Sequence, residues 1–189
     1  MNPDSFAMRP IGVVRSPYTD TAQIPKGPGA THEAEGVLEI LPTLERGLTD
    51  IDGFSHLYVL WVFDRAAGYE LVGTPPTDTR PHGVFATRSP RRPNPIGLTV
   101  VRLVRREGSR LVVQGVDMLD GTPILDIKPY LSSVPPEQLR RGWLAEAERA
   151  AEASRGLDKS REPTSHQARP DLDLRGQRTV DGTAIRDVP

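Results

Sequence analysis

The chain has 189 residues, enough for one domain with appendages, and 37% of them are hydrophobic, so a core can form although 17 glycines and 19 prolines imply many turns. With no cysteine, disulfides and thiolate metal sites are excluded. The formal net charge is −1, the longest apolar run, Leu57–Phe63, is seven residues against the ~20 a helical membrane span needs, and the first ten residues lack the apolar stretch of a secretory signal, so a cytoplasmic protein is expected.

Ile11 to Arg15 is a β-branched run closed by Ser16-Pro17 and predicts a first strand. Thr21 to Thr31 is too rich in proline and glycine for regular structure and is expected to be a loop. Glu35 to Leu41 alternates imperfectly and predicts a second strand, and Pro42 to Leu48 a helical turn. The continuously apolar Leu57 to Phe63 has the pattern of a central strand buried on both faces. Gly83 to Thr87 predicts a short strand. Ile96 to Arg105 and Arg110 to Val116 predict a hairpin turning at Arg106-Glu107-Gly108-Ser109, and Pro123 to Ile127 a last strand.

The period then changes: Leu139, Trp143, Leu144 and Ala147 stand at helical spacing, predicting an amphipathic helix over about 136–155. The charged, proline-containing stretch 156–189 has no periodicity and is expected to be a disordered tail. The pattern predicts a mainly β protein, an antiparallel β-barrel or sandwich of about seven short strands filling residues 1–135, with one C-terminal amphipathic helix and a polar tail. A doubly wound parallel sheet is excluded because the strands lack intervening crossover helices.

Charge is segregated. Residues 80–110 hold eight arginines against Glu107, and residues 31–70 hold eight acids against Arg46 and Arg65. Either these halves interleave as surface ion pairs or the first forms a basic face for phosphate. Familiar motifs fail: Gly27-Pro28-Gly29 lacks the third glycine of a dinucleotide fingerprint, His32-Glu33-Ala34-Glu35-Gly36 has glycine where a zinc-protease helix needs histidine, and the acids of Asp117 to Gly121 are wrongly spaced for a calcium loop.

Chemistry-bearing residues concentrate between His82 and Tyr130. In Gly83 to Leu98, three prolines within six residues stiffen a loop that presents Arg88, Arg91 and Arg92, groups that recognise phosphate or carboxylate bidentately. A plain solvent-exposed turn is the alternative. In Asp117 to Tyr130, three acids, Lys128 and Tyr130 follow an apolar strand, where Asp126 and Lys128 can pair and Asp120-Gly121 can be a simple turn. His56 stands at the mouth of the central strand, as a hydrogen-bonded structural residue or as a base.

Taken together, Ile11 to Pro17, Asp52 to Leu57, Gly83 to Leu98 and Asp117 to Leu131 resemble the TsaA-like, or TrmO-type, family of tRNA methyltransferases, with the likeness covering about residues 9–131. The resemblance implies a barrel-like, usually dimeric enzyme that uses S-adenosylmethionine to N6-methylate threonylcarbamoyl-adenosine at position 37 of tRNA. It implies cofactor contacts from Pro25, Lys26, Gly27, Asp64, Arg65, Arg88, Leu98 and the turn Asp117, Met118, Leu119, Asp120, Gly121, Thr122. Arg91, Arg92, Asn94, Lys128 and Tyr130 are the expected tRNA contacts, and Asp64, Asp120, Asp126 and His56 the candidates for the base that takes the N6 proton, with no metal required.

The chain departs from the family pattern at Pro25-Lys26-Gly27, where Pro-Arg-Gln is common, and at Asp64, where many members have histidine. One helix and a polar tail stand where larger bacterial members carry a further domain. Alternatives are a same-fold methyltransferase acting on a small molecule or another base, and a non-catalytic nucleic-acid-binding barrel. A homodimer is expected, with Trp143 on the helix as the candidate contact and packing of the helix on its own barrel as the alternative.

Overall fold

The computed structural model describes residues 6–26, 30–131, 134–138 and 142–159. Six strands close into an antiparallel barrel: β1 (Gly12–Arg15), β2 (Glu35–Ile40), β3 (His56–Val62), β6 (Ile96–Glu107), β7 (Arg110–Gln114) and β8 (Pro123–Pro129), in the order β1-β2-β7-β6-β3-β8. Two further strands of two residues each, β4 (Val72–Gly73) and β5 (His82–Gly83), pair outside the barrel. Closure rests on β1 against β8, with Gly12 opposite Ile124 and Val13 opposite Pro123. A closed barrel leaves no unpaired edge for another chain to extend.

Alternation fills the interior. Val14, Leu38, Leu57, Val59, Val101, Leu111, Val113, Met118 and Ile124 are all buried in one core. Loss of a single such leucine leaves a cavity worth about 2–5 kcal/mol. At one point the filling depends on a missing side chain: a Cβ on Gly97 would overlap the Trp61 ring, which lies flat over the glycine opposite it in the β3–β6 ladder.

Several sequence expectations change in detail. β3 is buried on its inner face only. His56, Tyr58, Leu60 and Val62 point outward, beside the exposed Ile96, Leu98 and Val100 of β6. Its continuous apolar character therefore reflects an apolar outer strip rather than a second covering layer.

The expected strand Gly83 to Thr87 stops at Gly83, because Val84–Ala86 turns into a 3-10 helix whose Val84 carbonyl accepts bonds from both the amide and the hydroxyl of Thr87. β6 continues to Glu107, past a register shift between Leu103 and Arg105, so the hairpin turn is only Gly108-Ser109. Gly108 has φ +62°, which suits glycine in so tight a turn.

The C-terminal helix α1 spans Trp143–Lys159, preceded by a 3-10 turn at Pro136–Gln138. Leu139, one of its expected apolar positions, and the tail beyond Lys159 lie outside the described residues. Trp143 faces its own domain: its indole N–H donates to the Ala86 carbonyl at 3.0 Å and its ring stacks on His82, with centroids 4.2 Å apart and planes 16° from parallel. Among the described residues no helix is long and apolar enough to cross a membrane.

Candidate active site

The barrel has two chemically different ends. The C-termini of β1 and β3 and the N-termini of β6 and β8 meet at one of them, since Trp61 pairs with both Gly97 and Ile124, and Val13 with Pro123. Here the turn 117–122 is tied down from two sides. Gly121, at φ +81°, donates its amide to the Val14 carbonyl (2.8 Å), and Asp120 donates its amide to Tyr18 (2.8 Å). A β-carbon at that φ would be strained.

Asp120 is committed on all sides. Its Oδ1 accepts the Ser16 amide at 3.1 Å, its Oδ2 lies 3.8 Å from the Arg15 guanidinium, and its carbonyl accepts Arg65 Nη2 at 2.7 Å. That last bond brings the exit of β3 onto the turn. The Arg15 guanidinium is itself shifted to a higher pKa, first by its hydrogen bond to Glu39, with Asp120 contributing least.

Under the turn runs a relay that the sequence reading missed. Trp61 Nε1 donates to Thr99 Oγ1 at 3.0 Å, and the Thr99 hydroxyl donates to Asp117 Oδ1 at 2.6 Å. Trp61 and Thr99 are both 6% exposed, so the chain of bonds is sealed from water on its inner side. The signal was present in β6, where Gly97-x-Thr99-x-Val101 puts one hydroxyl on an otherwise apolar inner face. A buried hydroxyl there needs partners.

The other expected carboxylates separate cleanly. Asp64, next to Arg65, is exposed and has no intramolecular partner among the described residues. Asp126 lies on the outer face of β8, its Oδ1 accepting the Ile127 amide at 2.9 Å and its Oδ2 2.7 Å from Lys128 Nζ. This is the self-pairing that their spacing allowed. His56, hydrogen-bonded to Ser55 Oγ at 3.0 Å, stands at the opposite end of the barrel with Lys128 and Tyr130. Six strand steps separate His56 from Val62, about 20 Å. Within one chain His56 cannot reach a reaction at the Asp64 end.

Met118 is 1% exposed and belongs to the core, and Thr122 is 2% exposed with its amide bonded to the Leu119 carbonyl and its carbonyl to the Val14 amide, so neither presents a surface to a ligand here. Leu119, Asp120 and Gly121 are partly exposed, and Leu98 projects from the outer strip of β6. Pro25 and Lys26 are exposed, and Gly27 lies outside the described residues. Lys26 lines an open groove of about 580 Å³ between the segment Pro76–Arg80 and the Glu146 face of α1.

The arginine loop joins the same end as the turn, because the Phe63 amide donates to the Pro95 carbonyl at 2.8 Å. Its cations are not equivalent. Arg92 folds back so that Nη1 donates to the Thr87 carbonyl (3.3 Å), and Arg91 pairs with Glu70 at 2.7 Å. Arg88 is exposed without an intramolecular partner among the described residues, as is Asn94 through its side chain.

Farther along, Asp78 anchors the entry of the loop: its carboxylate bonds His82 Nε2 at 3.0 Å and Arg80 at 3.2 Å, and Arg80 reaches on to Glu146 at 2.9 Å. The His82 bond, backed by the Arg80 amide, holds the Asp78 carboxyl well below the usual carboxylate range.

This arrangement suits an adenosyl sulfonium ligand by its donor set. Asp117 has one carboxylate oxygen pinned and the other without a partner among the described residues, the exposed Arg88 is a group that holds carboxylates, and the outer strip offers an apolar wall.

Comparison with known proteins leads to the same place. A family described as the tRNA-methyltransferase O N-terminal domain matches residues 13–135. A probable S-adenosyl-L-methionine-binding protein of Pyrococcus abyssi is 46% identical over 143 residues, covering 75% of this chain and 78% of that one. The tRNA (adenine(37)-N6)-methyltransferase of Escherichia coli is 38% identical over 137 residues, covering 67% of this chain and 58% of the relative. A crystal structure of TrmO superposes with a TM-score of 0.61 at 39% identity, covering 73% of this chain and 64% of the other. The chain thus spans somewhat less than two thirds of the last two proteins. Sequence and barrel agree, and the chain belongs to the tRNA-methyltransferase O N-terminal domain family.

Proposed function

We propose that the chain is an S-adenosylmethionine-dependent methyltransferase that N6-methylates adenosine 37 of tRNA in its threonylcarbamoyl form, in the cytoplasm. The observation that carries this reading is the meeting, at one barrel end, of the pinned turn 117–122, the uncommitted Asp64 beside Arg65, and the loop bearing Arg88. When bound, S-adenosylmethionine supplies an electrophilic methyl group.

The protein's own task is orientation and exclusion of water, which can account for a large part of such a rate enhancement. Asp117, fixed by Thr99, holds ribose hydroxyls, and Arg88 and Lys26 hold the methionyl carboxylate. Asp64 takes the N6 proton: of the four candidate bases, Asp120 and Asp126 are already paired and His56 is at the far end. Arg91, Arg92 and Asn94 face tRNA phosphates on the same loop, while Lys128 and Tyr130 can meet only a part of the RNA that reaches the other end.

The working unit in this reading is a homodimer. Trp143 is occupied within its own chain, so the support shifts to the outer strip of Tyr58, Leu60, Ile96, Leu98 and Val100, an apolar surface that a two-fold copy would cover.

Calorimetry with S-adenosylmethionine, followed by mass spectrometry of nucleosides from tRNA incubated with enzyme and cofactor, tests the reading. The expected product is threonylcarbamoyl-adenosine heavier by one methyl group. Heat of binding with methylation of a different nucleoside would overturn the substrate. Absence of binding would overturn the enzyme.

A further inference from the structure

The small β4–β5 unit carries a surface that the methyl-transfer site does not use. Val72 pairs with Gly83, and the ladder continues through the Val84 amide to the Leu71 carbonyl (2.9 Å) and the Glu70 amide to the Arg91 carbonyl (3.3 Å). Residues 69–72 therefore run beside the start and the tip of the arginine loop. Between them, this strip and the adjoining turn Val84–Ala86 expose Tyr69 (61%) and Phe85 (78%), together with Leu71 and Val72. On the same loop as Phe85 stands Arg91, clamped to Glu70.

Two exposed aromatic rings, Phe85 on the loop and Tyr69 beside the Glu70–Arg91 pair, match what unpaired nucleobases need: flat faces for stacking and a cation for an intervening phosphate. A second copy of this chain fits less well. A two-fold contact centred here would bring together two arginine loops, each carrying the exposed Arg88, which pairs with no acid among the described residues. Paired RNA fits no better, because its bases are already stacked on one another.

We propose that Tyr69 and Phe85 form a stacking platform for unpaired bases of the substrate's RNA loop, with Arg91, held beside Tyr69 by Glu70, meeting a flanking phosphate. The proposal rests on the tRNA reading above and adds to it the residues that distinguish a loop from a duplex.

The test measures fluorescence anisotropy of the full chain with a labelled anticodon stem-loop RNA and with a fully paired RNA of equal length. Phe85→Leu and Tyr69→Leu keep apolar bulk but lose the ring. Each is expected to weaken stem-loop binding about tenfold. Duplex binding, the slope of affinity against salt and the melting temperature should stay as in wild type.

Phe85→Trp is expected to restore affinity, with an added tryptophan emission quenched by the stem-loop. Wild-type affinity for the stem-loop in both leucine variants would overturn the platform while leaving the tRNA reading intact. So would loss of dimer in those variants by light scattering, which would assign the surface to a second copy. A wild-type protein that binds neither stem-loop nor whole tRNA would overturn both readings together.

Discussion

Replacing Thr99 with valine keeps its shape and removes the hydroxyl that links Trp61 to Asp117. Two losses follow. The indole N–H of Trp61, buried at 6% exposure, is left without an acceptor, a cost of about 1–3 kcal/mol. The Asp117 carboxylate loses a 2.6 Å donor, but as a half-buried group it recovers part of that bond from water, so about 1 kcal/mol remains.

The expected destabilisation is therefore about 2–4 kcal/mol, a large part of a typical folding stability. In a domain of this size that lowers Tm by roughly 6–15 °C. Thr99→Ser retains the hydroxyl and gives up one methyl group, about 1 kcal/mol. Trp61→Phe removes the donor, so adding Thr99→Val to it should cost less than Thr99→Val alone, a positive coupling in a double-mutant cycle. Scanning calorimetry gives the stabilities, and titration with S-adenosylmethionine shows whether the loosened turn also weakens the cofactor. Equal melting of the valine and serine variants would refute the relay.

Trp143→Ala should free the segment 78–86 from α1, seen as faster amide hydrogen exchange there with little change in the barrel strands; unchanged exchange would mean that the His82 stack and the Ala86 bond hold nothing. Leu98→Glu should convert the proposed dimer to monomer in light scattering, whereas Trp143→Glu, expected from the sequence to do so, should not. Asp78 has a depressed folded-state pKa, so its contribution is complete above its unfolded value of about 3.9 and is lost as pH falls through the folded value. The Tm gap between wild type and Asp78→Asn should accordingly narrow as pH drops from about 5 to about 2; a constant gap would exclude the linkage.

The barrel was legible because its strands alternate and its turns carry glycine and proline. What misled was chemistry shared between two environments. The run Leu57–Phe63 looks the same whether its second face meets another layer or an exposed strip, since both are apolar. Gly83 to Thr87 has strand-forming residues, and only the reach of the Thr87 hydroxyl to Val84 turns it into a 3-10 helix. At the site, the segments were identifiable from composition, but the division of labour among their acids was not. Asp120, Asp126 and Asp64 are equivalent as letters. Contacts more than 50 residues away, such as Ser16 and Arg65 on Asp120, make one structural and leave another uncommitted.

The flat seating of Trp61 on Gly97 has a consequence for how this sequence can drift. Neither position can change first without loss: any side chain at Gly97 collides with the indole, and a smaller ring at Trp61 opens a void and removes the N–H that the Thr99 oxygen accepts. A neutral path must pass through a paired step, with a smaller ring at 61 making room for alanine at 97. Among descendants of this barrel the two positions should covary, with glycine at 97 kept wherever tryptophan stands at 61 and released where it does not.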